Sequence, residues 1–113
     1  MEWRLCASAE VSVAMKLESM GYGLHGHDVT VTACLCYPGE GPREDLEAIG
    51  AALSRVLSAV NRRPLWEVTG GEGSLEDLLL FVREGLSRLG LRGRLCELTA
   101  ETQGGSRSAR LLL

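Results

Sequence analysis

Only two histidines occur in this 113-residue chain, and they stand two apart, as His25-Gly26-His27. On a β-strand, residues two apart point to the same face. Both imidazoles then converge on one point, and imidazole is a good ligand for zinc. A catalytic zinc takes three protein ligands and keeps one position open, so a third, non-histidine donor has to come from elsewhere. The plainer alternative is two polar residues at the beginning of a strand, beside a loop. Four cysteines, Cys6, Cys34, Cys36 and Cys96, are the other side chains with metal or redox chemistry. They are too few and too scattered for a small secreted disulfide framework, and they lack the C-x-x-C knuckle of familiar zinc motifs. Three readings stay open for them: small, partly buried side chains, a four-thiolate metal site, or a cross-strand disulfide. Arg62, Arg63, Arg92 and Arg94 either meet a substrate phosphate at a subunit boundary or are ordinary surface charges.

Positioning these groups requires strands and helices whose periods are visible in the chain. Trp3, Leu5, Ala7, Ala9, Val11, Val13 and Met15 alternate with Arg4, Cys6, Ser8, Glu10, Ser12 and Lys16. Period two over that length predicts a long, half-buried strand. Gly21-Tyr22-Gly23 punctuates the chain, and a second alternating run places Val29, Val31, Ala33 and Leu35 against Asp28, Thr30 and Thr32. Pro38-Gly39 ends it, so the two runs read as a β-hairpin. If Met15 pairs near His27 in that hairpin, Cys6 falls roughly opposite Cys36, with Cys34 on the same face.

From Arg43 the period becomes helical. Leu46, Ile49, Ala52, Leu53, Val56, Leu57 and Val60 recur at three- and four-residue spacing, with a stop expected near Arg63 because Pro64 follows. Thr69 to Gly73 reads as a loop. Ser74 with Asp77 three residues on resembles a capping box and opens a second helix lined by Leu75, Leu78, Leu79, Val82 and Leu86. Extended segments from Arg92 to Thr102 and Arg107 to Leu113 flank Gln103-Gly104-Gly105-Ser106, a hairpin centre. The order ββααββ predicts an α+β domain over residues 1–113: a four-stranded antiparallel sheet with two helices on one face. Long edge strands invite association, so an oligomer is expected.

Composition narrows the function. Hydrophobic residues make up 45% and aromatics 4%, which calls for an aliphatic core of Leu, Val and Ala. A net charge of −3 argues against a nucleic-acid binder that relies on a broad basic surface. No apolar run approaches the roughly 20 residues needed to span a bilayer, and the N-terminus lacks a signal-peptide pattern. A cytoplasmic protein with no membrane partner is the expectation.

Leu24-His25-Gly26-His27-Asp28-Val29 resembles the leucine-HGH-asparagine/aspartate segment of the 6-pyruvoyl-tetrahydropterin synthase and 6-carboxy-tetrahydropterin synthase family. Val11-Ser12-Val13-Ala14-Met15-Lys16-Leu17 is similar to that family's F-S-A-A-H-R-L strand, and Glu101-Thr102 matches its glutamate-threonine pair. The resemblance covers nearly the whole chain and implies the family's ββααββ tunnelling fold, assembled as a hexamer of two stacked trimers. It implies zinc held by His25 and His27, and a pocket for a pterin-like or purine-like ligand anchored at Glu101 with Thr102 beside it. A carboxylate suits that anchor, since it accepts paired hydrogen bonds from a ring N–H and an exocyclic amino group. The implied activity is a zinc-dependent carbon–oxygen lyase acting on 7,8-dihydroneopterin triphosphate.

The reactive positions depart from the family pattern. Met15 stands where the first-strand histidine ligand would be, and a neutral thioether is a poor zinc ligand. Met20 and Gly21 occupy the region of the cysteine nucleophile, and Val60-Asn61-Arg62 replaces the leucine-aspartate-histidine segment that supplies a proton-transfer pair. The start of the second helix survives only as Ser74-Leu75-Glu76-Asp77. Asn and Arg do not act as a base near neutral pH. The expectation is a retained scaffold and pocket with weakened or lost chemistry. The alternatives are a working zinc lyase with an unorthodox ligand set and a structural or regulatory assembly subunit.

Overall fold

The computed structural model describes the backbone of residues 1–17 and 22–113, and the side chains of residues 1–15 and 26–113. β1 (Glu2–Leu17) and β2 (Tyr22–Pro38) form the long hairpin. β2 begins before its alternating run does, so both histidines lie within the strand. After it come α1 (Leu46–Leu57), β3 (Arg63–Pro64), α2 (Leu65–Thr69), α3 (Leu75–Ser87), β4 (Arg94–Thr102) and β5 (Ser108–Leu112). Among the described residues the sheet has five strands in the order β3-β1-β2-β4-β5. β3 runs parallel to β1, and the other neighbours are antiparallel.

This corrects the expected four-stranded antiparallel sheet with two helices. The antiparallel set β1-β2-β4-β5 is present, with a two-residue parallel strand added at the β1 edge and a third, five-residue helix after it. The cause is local. α1 stops at Leu57, earlier than expected, and the chain from Val60 turns back onto β1 instead of continuing the helix. Arg62 N–H donates to Ser12 O at 2.6 Å, and Arg63 and Pro64 pair with Val13 and Ala14.

Odd positions of β1 and β2, and even positions of β4 from Leu98 on, face the helices. Val11, Val13, Met15, Val29, Val31, Ala33, Leu98 and Ala100 are buried there against Leu53, Val56, Leu57, Leu78, Leu79 and Val82. The core is aliphatic, as the composition required. α3 is set by its capping box: Asp77 N–H donates to Ser74 Oγ at 3.1 Å, and Asp77 Oδ2 accepts from Ser74 N–H at 3.4 Å and Gly73 N–H at 3.1 Å. At the far end, Tyr37, 1% exposed, donates to Glu44 Oε1 at 2.8 Å, which also accepts from Gly93 N–H at 2.9 Å. Burial first, and the neighbouring Glu44 second, push the Tyr37 phenol up to about 12. No helix among the described residues is long and apolar enough to cross a membrane.

Candidate functional site

The hairpin register fixes what the histidine motif can reach. Val13 pairs with His27 and Met15 with His25. That is two residues away from a pairing of Met15 with His27, and it sets Cys6 opposite Cys34 rather than Cys36. Met15, at the position of a first-strand ligand, is adjacent to position 25 but is 4% exposed and packed into the core. The His25 side chain, and Met20 and Gly21 at the nucleophile position, lie outside the described residues. Among the described residues no group of three or more His, Cys, Asp or Glu side chains is placed to hold a metal. Among the described residues, His27 and the buried Met15 thioether do not make up a catalytic zinc set.

A cleft of about 570 Å³ crosses the sheet at this end, from Arg62 beside β3, over β1 and β2 at Ser12 and His27, to Thr102 and Ser106. Ligand pockets run roughly 300–1,000 Å³, so a bicyclic heterocycle fits its size. Its lining mixes apolar surface from Val13 and Ala14 with several polar side chains. Ser12 Oγ donates to Asp28 Oδ1 at 2.6 Å, and Ser12 N–H donates to Asn61 Oδ1 at 3.0 Å. With the Arg62 bond, three contacts converge on Ser12. Arg62 sits at φ 61°, in the left-handed region, because the chain must present its N–H to β1 and then enter β3. Among the described residues the cleft carries the Arg62 guanidinium and the Asp28 carboxylate, with hydroxyls between them.

The two proposed ring-anchoring residues separate. Thr102 is 4% exposed and lines the cleft, but its hydroxyl closes the β4–β5 turn. Thr102 Oγ1 accepts from Arg107 N–H at 3.2 Å and donates to Arg107 O at 3.3 Å. Glu101 pairs with Thr30 and so lies on the face away from the helices. It is exposed, and its carboxylate folds over the turn so closely that a Cβ at Gly105 would lie 2.5 Å from Oε1. Strand geometry puts the Cα atoms of Glu101 and His27 roughly 11 Å apart. Within one chain these two side chains do not meet.

The remaining candidates disperse. Arg63 donates to Ala59 O at 3.4 Å, Arg92 lies 3.9 Å from Glu44, and Arg94 donates to Leu113 O at 3.3 Å. Arg92 and Arg94 sit at the opposite end of the sheet from Arg62, so the four arginines form no common anion site. Cys6 is disulfide-bonded to Cys34 and Cys36 to Cys96, which replaces the four-thiolate reading. Sequence alone does not single out Ser12 and Asp28 as lining the cleft, or Asn61 as the side chain that holds Ser12. Their one signal is Asn61 just before an Arg-Arg-Pro run, where a side-chain amide can stand in for a strand's backbone.

No family profile matches the sequence, and no curated protein matches it. Its fold does match a solved structure, that of 6-pyruvoyl tetrahydropterin synthase from Caenorhabditis elegans. The TM-score is 0.79 at 18% identity, over 100% of this chain and 96% of that one. The chain has the fold of that enzyme.

Proposed function

We propose that the chain is a diverged member of the 6-pyruvoyl/6-carboxy-tetrahydropterin synthase family that keeps a pocket for a pterin-like or purine-like heterocycle and has weakened or lost the lyase chemistry. The observation that carries this reading is the cleft itself. It holds His27 from the HGH segment, while Met15 is sealed in the core and Asn61 is committed to Ser12. A pocket is present where the reaction's ligand and proton-transfer groups are replaced. Thr102 lines the floor of the cleft, and Glu101, which lies outside the cleft of its own chain, anchors the ring from a neighbouring subunit. A thermal-shift panel of pterins and purines tests the reading. At least one should raise Tm, and Glu101→Gln should abolish that shift while leaving the unliganded Tm within about 2 °C, as expected for an exposed side chain. No shift from any compound overturns the pocket.

A second reading, a working zinc-dependent carbon–oxygen lyase on 7,8-dihydroneopterin triphosphate, is favoured by His27 lining the cleft beside position 25. Elemental analysis reading about one zinc per chain, lost in His25→Ala, together with turnover, would establish it. Zinc-loaded protein without turnover ends it.

A third reading, an assembly subunit, rests on the sheet edges. β3 covers β1 only at Val13 and Ala14, and β5 is the other edge. Those edges fit a homo-oligomer, a hexamer by the resemblance. The cytoplasmic placement stands against two disulfides, which persist chiefly in oxidising compartments; alkylation of cysteines in fresh extract decides it.

A further inference from the structure

Strand alternation sorts the four sulfurs by access. Cys6, Cys34 and Cys36 occupy even positions of β1 and β2, on the face away from the helices. Cys96 joins them from β4, where the pairing skips a residue. Cys34, Cys36 and Cys96 are each 5% exposed and pack as one cluster. Cys6 is the exposed member of the four. Thiol–disulfide exchange depends on which sulfur an incoming thiolate can reach. On this face that sulfur is Sγ of Cys6, whose departure partner is Cys34.

The surrounding charge favours an anionic thiol. Arg4 stands two residues before Cys6 on the same strand face and pairs in register with Cys36. Arg4 and Arg110 hold Glu97 between them at 3.4 and 2.9 Å, and their own side chains stay 56% and 66% exposed. Glu97 pairs with Cys34. Two guanidinium groups thus flank one carboxylate beside the Cys6–Cys34 bond, and Arg94, in register with Cys36, lies on the same face. A guanidinium binds carboxylates, and positive charge favours thiolate over thiol.

We infer that Cys6 is a site of reversible S-thiolation by a small, carboxylate-bearing thiol of the glutathione class, with Cys34 as the resolving sulfur. The incoming thiolate bonds to Cys6 Sγ, the Cys6–Cys34 bond breaks, and Cys34 leaves with the bonding pair as a thiolate. A second thiol attacks the small-molecule sulfur of the mixed disulfide, forming the oxidised small-molecule disulfide and releasing Cys6 as a thiolate. Two small thiols are oxidised, one protein disulfide is reduced, and the two protons the thiols give up end on Cys6 and Cys34. In the reverse direction, Cys34 thiolate attacks Cys6 of the mixed disulfide and expels the small thiol. The Cys36–Cys96 bond stays closed, because both of its ends are buried.

The test uses folded, oxidised protein and reduced glutathione, quenched in acid with N-ethylmaleimide and mapped by mass spectrometry without reduction. The expected product carries glutathione on Cys6, an alkylated Cys34 and an intact Cys36–Cys96 bond, over about a tenfold range of glutathione. A first adduct on Cys34, Cys36 or Cys96 overturns the assignment, as does opening of both bonds together. So does failure to exchange at a concentration that reduces the urea-unfolded protein. Arg4→Gln should slow exchange with glutathione about threefold or more, and exchange with uncharged 2-mercaptoethanol less. Equal slowing with both thiols overturns the choice of an anionic partner.

Discussion

Asn61 and Arg62 show how a site can be kept in place while its reactive atoms are reassigned. The Asn61 amide oxygen is held by Ser12 N–H, and Arg62 spends its backbone N–H on Ser12 O. Arg62 pays a conformational cost for this, because an L-residue at φ 61° sits roughly 1–2 kcal/mol above its right-handed alternatives. Glycine avoids that cost but brings about 0.5–1 kcal/mol of extra freedom to the unfolded chain. The first term is larger, so Arg62→Gly should stabilise the protein by about 0.5–1 kcal/mol in urea titrations. Destabilisation would show that the arginine side chain itself holds the segment. Tyr37 gives a second test, by pH. Its folded pKa of about 12 lies above the unfolded value near 10, so the fold prefers the neutral phenol. That preference contributes fully below pH 10 and is lost as pH rises toward 12. Urea midpoints should therefore fall between roughly pH 10 and 12, and Tyr37→Phe should flatten that fall. The same variant leaves Glu44 with one donor fewer, which costs about 1–3 kcal/mol at neutral pH.

Contacts between elements rest on small residues as much as on large ones. Gly85 of α3 faces Val56 of α1, and a Cβ there would lie 2.6 Å from Val56 Cγ1. Alanine gains about 1 kcal/mol of helix propensity, but overpacking a buried contact costs about 1–3 kcal/mol. Val56 is 8% exposed and has little room to retreat, so packing should win. Gly85→Ala is expected to lower stability by about 1 kcal/mol, and pairing it with Val56→Ala should recover less than the single Val56 cavity costs. What the sequence made legible follows the same division. Strand and helix periods, the Ser74 cap and the turn after Thr102 were readable because each rests on residues close in the chain. β3 and the hairpin register were not, because they depend on a long-range bond from Arg62 to Ser12 and on a turn whose length composition does not fix. The cross-strand neighbour of Cys6 depends on that register, which makes it Cys34 and not Cys36. In the site, His27 and Thr102 reached the cleft by local motif, whereas strand alternation turned Glu101 to the opposite face.

At the scale of the molecule, the two long strands set the shape. The extents are 51 × 23 × 19 Å, and sixteen residues of β1 at about 3.3 Å each account for the longest axis. A sheet that long exposes a long edge, and β3 protects only Val13 and Ala14 of it. The β1 edge from Glu2 to Val11 therefore presents backbone donors and acceptors with no strand beside them among the described residues. Such edges pair with another chain unless blocked. Proline replacement tests this with an internal control. In an antiparallel pair, successive residues alternate between donating their N–H toward the neighbour strand and away from it. Of Ser8→Pro and Ala9→Pro, one removes an N–H that holds β2 and should destabilise the subunit by about 3 kcal/mol or more. The other removes an N–H aimed at solvent or at a partner strand. If β1 is an interface, that second variant keeps its far-ultraviolet circular dichroism but sediments as a smaller species. If it keeps both its fold and its native mass, β1 is a free edge, and assembly has to run through β5 or not through the sheet at all.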